Sequence, residues 1–516
     1  MQADTSPLAA ATWALIVVYA VVVLTIVVRG ARRTRSMDDY AVGSLLFSPV
    51  AVGLSLAASM TSAATFIINP GFVALYGLSA VLSMAVAIPL ASLCSLVILT
   101  KGFRRHGATV KALSMAQWME TRYGSRPYGI FFGVLSLLLI TFVVLICVGL
   151  TKVLSAALGI GEVAVLTGLV VFVFGYMMFG GANSMVYTNT LQALLMLVIA
   201  VILLGSGYEH FREGVTGFLD RLAAIDPKLI STTNTDSFLF RDHFEVFGAA
   251  LIVGVAIICQ PHILTKSLLL KSERDVNRYL ITGCTVQFVF FAVVFAGLYA
   301  RLAFPDLTFA GQPLPMDNIV SAYVVSEFPV LIGLIVVLGL ISAGLSTLES
   351  LIQSISTTVT NDIIKPLASP RLGLDRPENF RVVLLINRAV IILLALAAFM
   401  LSWQQLVDPK LSVSIFAQNG VYAYFSAAFV PILMGMFLRD VPLVAPVAAS
   451  LTAVTVHFSM YYGRLPLPFT LADGENPGVA AAVAIVASVV VGFGIYLLGR
   501  GGRAPAPLNR VGGSAR

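Results

Sequence analysis

Charge is what this sequence of 516 residues has little of: Asp, Glu, Lys and Arg make up 11% of it, against about 25% in a typical soluble chain. Hydrophobic residues supply 58%, and they gather in repeated apolar runs of about 20 residues, the length of a membrane-spanning helix. The shortage of charge therefore excludes an ordinary soluble domain. We expect an all-α polytopic membrane protein surrounded by the lipid bilayer.

Cysteine is also rare. The four cysteines have no CxxC spacing, so neither a disulfide framework nor a cysteine metal site is indicated. The five histidines are scattered, and no HExxH, GxSxG or P-loop pattern occurs. These absences argue against an enzyme and against an ATP-driven pump. The net charge of +7 gives no reason to expect a nucleic-acid partner, because the basic residues of the chain lie mostly in loops between the apolar runs. No obligatory protein partner is evident.

The apolar runs divide one predicted transporter domain, residues 1–500, into thirteen spans. A tail rich in Gly, Pro and Arg, residues 501–516, is expected to be disordered. In order, the predicted spans are residues 12–28, 46–76, 79–100, 128–158, 163–180, 188–207, 244–270, 279–304, 328–364, 382–403, 411–438, 441–462 and 479–499.

The distribution of Lys and Arg predicts the orientation. With the amino terminus outside, the cytoplasmic loops and tail hold 23 of the 32 basic residues and the opposite loops hold seven. Because basic residues favour the cytoplasmic side, we expect an external amino terminus and a cytoplasmic carboxyl terminus. The expected location is the plasma membrane of a bacterial cell.

Two spans contain a proline that should break the helix. Pro70-Gly71 interrupts span 2, and Gln260-Pro261 interrupts span 7. Proline removes a backbone donor and clashes with the preceding turn, so we expect two half-helices in each span. Spans 2–6 and 7–11 then form two five-helix units of opposite topology, a 5+5 inverted repeat of the kind found in secondary transporters.

Span 9 carries an unusual amount of oxygen for a membrane helix, above all in residues 339–362. Ser346 and Thr347 are adjacent, and Ala343 lies one turn before Thr347. If span 2 unwinds near residues 58–61, its freed carbonyls and these groups give about five uncharged oxygens, which suits sodium better than a divalent ion. The alternative interpretation is a polar seam between helices, since Ser and Thr commonly join membrane helices.

Three stretches carry a resemblance to a known family. ASMTSAATFIINPGFVALYGLSA resembles the first core helix of the sodium:solute symporter family, which has a LeuT-type fold, and SAGLSTLESLIQSISTTVTNDI resembles its eighth. QPHILTKSLLLKSERDVNR resembles the stretch after its sixth core helix. The resemblance implies a sodium site made by the carbonyls of Ala58, Thr61 and Ala343 and the hydroxyls of Ser346 and Thr347. It implies substrate contacts from Ser62, Thr65, Gln260, His262 and Gln418.

One departure from the family concerns YTNTLQALLMLV, which resembles the fifth core helix. The family often has Asp where this chain has Asn189, and Asp there can support a second sodium or a proton-coupled step. Because Asn is neutral, we expect one sodium per substrate. Asn189, Glu349 and Asp362 are predicted to act in gating or coupling, with Glu349 paired to a polar neighbour.

The expected function is sodium-coupled uptake of a small organic solute by alternating access, and the expected solute is an organic anion, monocarboxylate or pantothenate-like. The resemblance is closer to the carboxylate and pantothenate branches than to the sugar branch, and no intramembrane acid is placed to hold an amine. An anion could use His262, Lys266 or the positive end of a half-helix. The alternatives are proline or another amino acid, a sugar, proton coupling, and a transporter-like membrane sensor.

Overall fold

The structure, a computed structural model, describes residues 6–43, 47–62, 64–110, 112–270, 272–309, 311–408 and 413–501. The predicted tail falls outside these residues from position 502 onward. Within the described residues the regular structure is helical, apart from one antiparallel pair of two-residue strands, Thr308–Phe309 and Gln312–Pro313.

The α-helices are Ser6–Ala31, Met37–Val42, Pro49–Met60, Asn69–Tyr76, Leu78–Val81, Ile88–Val110, Met115–Tyr123, Arg126–Leu135, Ile140–Leu158, Glu162–Gly180, Ala182–Ser206, Gly214–Ile225, Ala250–Ala256, Pro261–Leu264, Glu273–Ala292, Ala296–Ala303, Ile319–Glu327, Val330–Thr358, Lys365–Leu372, Phe380–Val407, Val413–Phe437, Val444–Gly463 and Pro477–Gly501. Wider π turns cover Ala64–Ile68, Leu82–Ala87, Phe244–Ala249 and Val359–Ile364, and 3-10 turns cover Ser136–Leu139, Tyr208–Phe211, Pro227–Ile230, Ile257–Cys259, Thr265–Leu269, Val293–Phe295, Met316–Asn318 and Pro377–Asn379.

Among the described residues, eleven helices are long and apolar enough to cross a membrane, and two bent pairs raise the number to 13 if each pair is one span. The bent pairs fall at predicted spans 2 and 7. The eleven continuous spans are Trp13–Ala31, Leu78–Gly107, Arg126–Leu158, Glu162–Gly180, Ala182–Phe211, Arg274–Ala303, Val330–Leu372, Phe380–Val407, Val413–Phe437, Val444–Gly463 and Pro477–Gly499. The chain is therefore an all-helical protein of the multi-span type, and we keep the predicted span numbers.

The break in span 2 is not at Pro70, so that prediction is wrong. Helix Pro49–Met60 ends one residue before Thr61, and the next half, Ala64–Tyr76, is inclined to it by 58°. Thr61 and Ser62 lie outside helical structure. The bend therefore comes about eight residues before the proline, near the residues whose carbonyls were expected to be free.

Pro70 lies in the first turn of helix Asn69–Tyr76, where a missing N–H costs little. The Pro70-Gly71 pair serves packing instead. A Cβ added at Gly71 would come within 2.4 Å of the Met316 carbonyl oxygen, and one added at Gly297 within 2.0 Å of the Pro70 carbonyl oxygen. Glycine at both places lets span 8 and the 3-10 turn at Met316–Asn318 approach the backbone of span 2.

The break in span 7 is where the sequence predicts it. Gln260 has the extended dihedrals φ −75° and ψ 137°, and Pro261 starts the following helix. The two halves, Phe244–Cys259 and Pro261–Leu269, are inclined by 61°.

The two broken spans are held inside the bundle. The first half of span 2 packs against spans 6, 8 and 9, and span 9 packs against spans 4 and 6. Spans 12 and 13 pack on each other and on span 11, while span 1 lies against spans 5 and 6. This arrangement places both breaks away from the lipid-facing surface.

Candidate functional site

The break in span 2 meets the hydroxyl-bearing part of span 9. Ser346 Oγ lies 2.8 Å from the Ala58 carbonyl oxygen and 3.0 Å from that of Ala343. Thr347 Oγ1 lies 3.3 Å from the carbonyl oxygens of both Ala58 and Thr61. Between them, the hydroxyls of Ser346 and Thr347 therefore lie within 3.4 Å of the carbonyl oxygens of Ala58, Thr61 and Ala343, and the five groups meet at the break of span 2.

Thr347 Oγ1 also lies 3.4 Å from the carbonyl oxygen of Ser59, which sequence reasoning missed, and 3.4 Å from that of Ala343. Thr61 contributes only its carbonyl to this point, because its hydroxyl donates to Gln287 Oε1 of span 8 at 3.0 Å. All of these oxygens are uncharged. We call the six groups, from Ala58, Ser59, Thr61, Ala343, Ser346 and Thr347, the oxygen cluster.

Local structure explains the geometry of the oxygen cluster. Span 9 stays α-helical through Val330–Thr358, so Ala343 lies one turn before both Ser346 and Thr347 on the same side of the helix. The opposing carbonyls are available because helix Pro49–Met60 ends there and its last carbonyls have no intrahelical partners. Buried uncharged oxygens in this number can coordinate a hard monovalent cation.

A cavity of about 160 Å³ lies beside the oxygen cluster, between the two breaks. The cavity is lined by all five predicted substrate-contact residues: Ser62, Thr65, Gln260, His262 and Gln418. The other lining residues that sequence reasoning did not name include Asn69, Ser92, Phe142, Phe291, Ser414 and Tyr422. They come from spans 2, 3, 4, 8 and 11, so no local motif could have identified them together.

Two of the cavity's side chains have polar atoms without a hydrogen-bond partner. Both ring nitrogens of His262 are unpartnered, as is Gln260 Oε1, although the two side chains are 2% and 3% exposed. Gln260 Nε2 donates to the Ile257 carbonyl at 3.0 Å. Buried polar atoms are rarely left unsatisfied, so this wall of the cavity is suited to a polar ligand.

Lys266 lies one turn beyond His262 and does not line the cavity. Its amine is buried and donates to Ser55 Oγ of span 2 at 2.8 Å. It lines a much smaller cavity of about 10 Å³ together with Ser114, Thr357 and Thr358. Of the two basic groups that the sequence offers to an anion, only His262 faces the cavity between the breaks.

Glu349 is paired with polar neighbours, as expected. Its Oε1 accepts from Tyr176 Oη of span 5 at 2.6 Å and from Gln192 Nε2 of span 6 at 2.9 Å. Its Oε2 accepts from Thr188 Oγ1 at 2.5 Å. Gln192 Nε2 also reaches Tyr19 Oη of span 1 at 3.0 Å. This carboxylate is directed away from the oxygen cluster and joins four spans.

The other two predicted coupling residues occupy different places. Asn189 Nδ2 donates to Ser59 Oγ and Ser350 Oγ, both at 3.1 Å, which puts it directly beside the oxygen cluster. Asp362 Oδ2 accepts from Ser114 Oγ at 2.5 Å, at the far end of span 9. Asn189 and Asp362 therefore do not form one site.

Comparison with known proteins places these features in a family context. The model of the sodium:solute symporter family matches residues 40–442. The sodium/pantothenate symporter of Escherichia coli (strain K12) is 32% identical over 303 residues, which is 57% of this chain and 61% of that protein. That of Haemophilus influenzae is 26% identical over 64% of this chain and 67% of its own length. The match thus spans about three-fifths of the first relative.

A solved structure of a Na⁺-coupled sialic acid symporter, substrate-bound and outward-open, is similar in fold. Its TM-score is 0.74 at 19% sequence identity, and the alignment covers 93% of this chain and 97% of that one. At this identity the similarity concerns the fold alone.

Proposed function

The chain belongs to the sodium:solute symporter family of sodium-coupled transporters, and we propose that it carries one sodium ion inward with each molecule of a small organic anion. The observation that carries the proposal is the position of the oxygen cluster at the break of span 2, next to the cavity between the two breaks. Secondary transporters place ion and substrate together at such breaks.

In this proposal the oxygen cluster is the sodium site, with ligands from Ala58, Thr61, Ala343, Ser346 and Thr347. A sodium ion there is attracted to both span 2 and span 9, so its arrival favours the arrangement in which the two spans are close. The same arrangement also completes the cavity wall. Ser62 and Thr65 line the cavity, and they come soon after the ligand residue Thr61 in the chain. Ion and substrate then stabilise the same conformation, which is the thermodynamic requirement for coupling.

The proposed substrate site is the cavity lined by Ser62, Thr65, Gln260, His262 and Gln418. An anion is favoured because the His262 ring has an unpartnered N–H to donate and no Asp or Glu is among the described residues that line the cavity. Gln260 Oε1 is an acceptor and would instead suit a hydroxyl or amide group of the same solute. The sodium/pantothenate symporters among the relatives make pantothenate the first candidate. Spans 2–6 and 7–11 are proposed as the two inverted units that move relative to each other.

The proposed orientation has the amino terminus outside, following the 23 to 7 distribution of basic residues. Inward transport is then driven by the sodium gradient and the membrane potential, the latter worth about 2.3 kcal/mol per charge per 100 mV.

The proposal is tested with purified protein in liposomes. We expect radiolabelled pantothenate to accumulate when external sodium exceeds internal sodium, and not when choline replaces sodium or a sodium ionophore is present. A thermal-shift panel with pantothenate, lactate, proline and glucose, each with and without sodium, identifies the substrate class. Stabilisation by proline or glucose, with none by either carboxylate, would contradict the anion assignment.

A further inference from the structure

A groove of about 510 Å³ lies between spans 1 and 6, away from the substrate cavity. One wall comes from the end of span 1, with Ile26, Arg29 and, in the turn just after the helix ends at Ala31, Arg33. The facing wall is a stripe of span 6 that includes Tyr187, Leu191 and Leu194. We propose that this groove, which we call the arginine groove, binds one anionic phospholipid, with the headgroup at the two arginines.

The shape of the arginine groove follows from one close contact. A Cβ added at Gly30 would lie 2.8 Å from Ser184 Cβ, so the two helices touch there. Glycine at this crossing brings the backbones together and forms the floor of the groove. Arg29, in the last turn of span 1, and Arg33, two residues beyond its end, both line the groove beside this floor.

Charge complementarity favours an anion. The nine residues that line the arginine groove, all of them described, include two arginines and no Asp or Glu. Arginine presents a planar fork of donors that matches phosphate oxygens. Asn183 and Thr190 lie on the same walls, but their donors already bond within the protein, so the arginines are the groups that would meet a phosphodiester.

The apolar end of the arginine groove favours a lipid over a free phosphate. Beyond Leu194, which is 50% exposed, span 6 continues the same stripe with Val198 and Val201 at 50% and 66% exposed. Span 1 continues its stripe with Val22 and Val18. These two apolar surfaces run along the helices for about 10 Å, at 1.5 Å per residue, which suits part of an acyl chain.

The position along the membrane is also suitable. In the orientation proposed above, Arg29 and Arg33 lie at the cytoplasmic end of span 1, the leaflet surface at which anionic lipids and basic residues meet. Tyr187, 42% exposed, has the amphipathic ring that is enriched at membrane–water interfaces. The lipid would join the peripheral span 1 to span 6, which also carries Asn189.

The test uses the full-length protein in detergent and native mass spectrometry, with palmitoyl-oleoyl phosphatidylglycerol as the probe and the matching phosphatidylcholine as comparison. We expect bound phosphatidylglycerol at concentrations where phosphatidylcholine is absent. R29Q and R33Q should each weaken binding about fivefold, and the double variant about thirtyfold, at about 1 kcal/mol per basic residue. The control is R32Q, which changes an exposed arginine on the same helix end that does not line the groove.

A second variant separates headgroup from chain. L194W fills the apolar wall and keeps both arginines, so phosphatidylglycerol binding should fall by at least fivefold. Monodisperse elution of every variant shows that it is folded. Equal binding of both lipids, an equal loss in R32Q, displacement of the lipid by millimolar inorganic phosphate, or a protein dimer in place of the lipid would each overturn the proposal. Transport is not measured, so this test is independent of the proposed substrate.

Discussion

The two broken spans place their polar atoms differently. Span 2 breaks at Thr61 and Ser62 and presents backbone carbonyls, which lie within 3.4 Å of the hydroxyls of Ser346 and Thr347. Span 7 breaks at Gln260 and presents side chains to a cavity, where His262 has no partner. The break in span 2 therefore gives a compact set of oxygens, and the break in span 7 borders an open cavity.

This difference suggests a division of work between the breaks. Backbone carbonyls are fixed and uncharged, so they suit an ion that is always the same. Side chains vary from one protein to the next without altering the backbone, so they suit a solute that differs between relatives. We expect substitutions at the two breaks to change different parameters.

The largest expected effect is on the oxygen cluster. S346A and T347A each remove one oxygen from the proposed sodium site, and a hydrogen-bonding group at a charge contributes about 1.5–3 kcal/mol. The sodium concentration for half-maximal uptake should rise about 10- to 100-fold, measured as sodium-dependent uptake in liposomes. S342A, a change in a buried serine one turn earlier in span 9, should behave like the wild type. Unchanged sodium dependence in both cluster variants would refute the sodium assignment.

The next effect concerns the second break. H262L removes the unpartnered imidazole from the cavity, so the pantothenate concentration for half-maximal uptake should rise about tenfold, the value of one charged or strong hydrogen bond. Sodium dependence should stay within about twofold, because the oxygen cluster is untouched. The control is H243L, at the exposed start of span 7. A shift in sodium affinity as large as the shift for pantothenate would mean that the breaks do not act separately.

A smaller effect is expected at Asn189, which bonds to Ser59 and Ser350 beside the oxygen cluster. N189D adds a carboxylate there, and a negative charge attracts a second cation. The Hill coefficient for sodium should rise from about 1 toward 2. N387D makes the same change at another buried position, where Thr360 donates to the amide oxygen, and should leave the coefficient unchanged. A wild-type coefficient near 2 would contradict the expected stoichiometry of one sodium.

The smallest effect is at the amino-terminal end of span 7. Burial would raise the pKa of Asp242, but hydrogen bonds from Thr470 Oγ1 and the backbone N–H groups of Glu245, Leu471 and Phe244 outweigh it, so the pKa lies below its usual 3.8. The native carboxylate is thus favoured, and its stabilisation is complete above the unfolded-state pKa and is lost as pH falls through the lower native one.

We therefore expect D242N to lower the thermal midpoint slightly at pH 7. The difference between the midpoints of the wild type and the variant should disappear below about pH 3.8. Asp242 is partly exposed, so screening limits the effect to below about 1 kcal/mol. The measurement is a thermal-shift series against pH. A gap that widened on acidification would contradict the lowered pKa.

Five of the six groups of the oxygen cluster could be located from the sequence, through helix periodicity in span 9 and the family resemblance of span 2. Ala343 lies three and four residues before Ser346 and Thr347, and the facing carbonyls come from one short stretch. The position of the span 2 break could not be predicted from Pro70, because a proline in the first turn of a helix is compatible with that helix. The helix ends at Met60 instead, and no Gly or Pro in the neighbouring sequence marks that end.

Only some of the residues that line the cavity could be predicted from the sequence. Its described lining residues come from six spans, and side chains such as Phe142 and Tyr422 are indistinguishable in the sequence from ordinary core aromatics. The sequence offers both His262 and Lys266 to an anion, but the helix tightens to a 3-10 turn at Thr265 between them, and they line different cavities.

The carboxylate of Glu349 has a mechanical consequence. Its three donors come from spans 5 and 6, and Gln192 extends the chain of hydrogen bonds to Tyr19 of span 1. A molecule pulled from its amino terminus by a force probe should therefore not release span 1 alone at low load. We expect a single rupture step of higher force that frees span 1 together with spans 5 and 6. The rupture force should be lower in E349A.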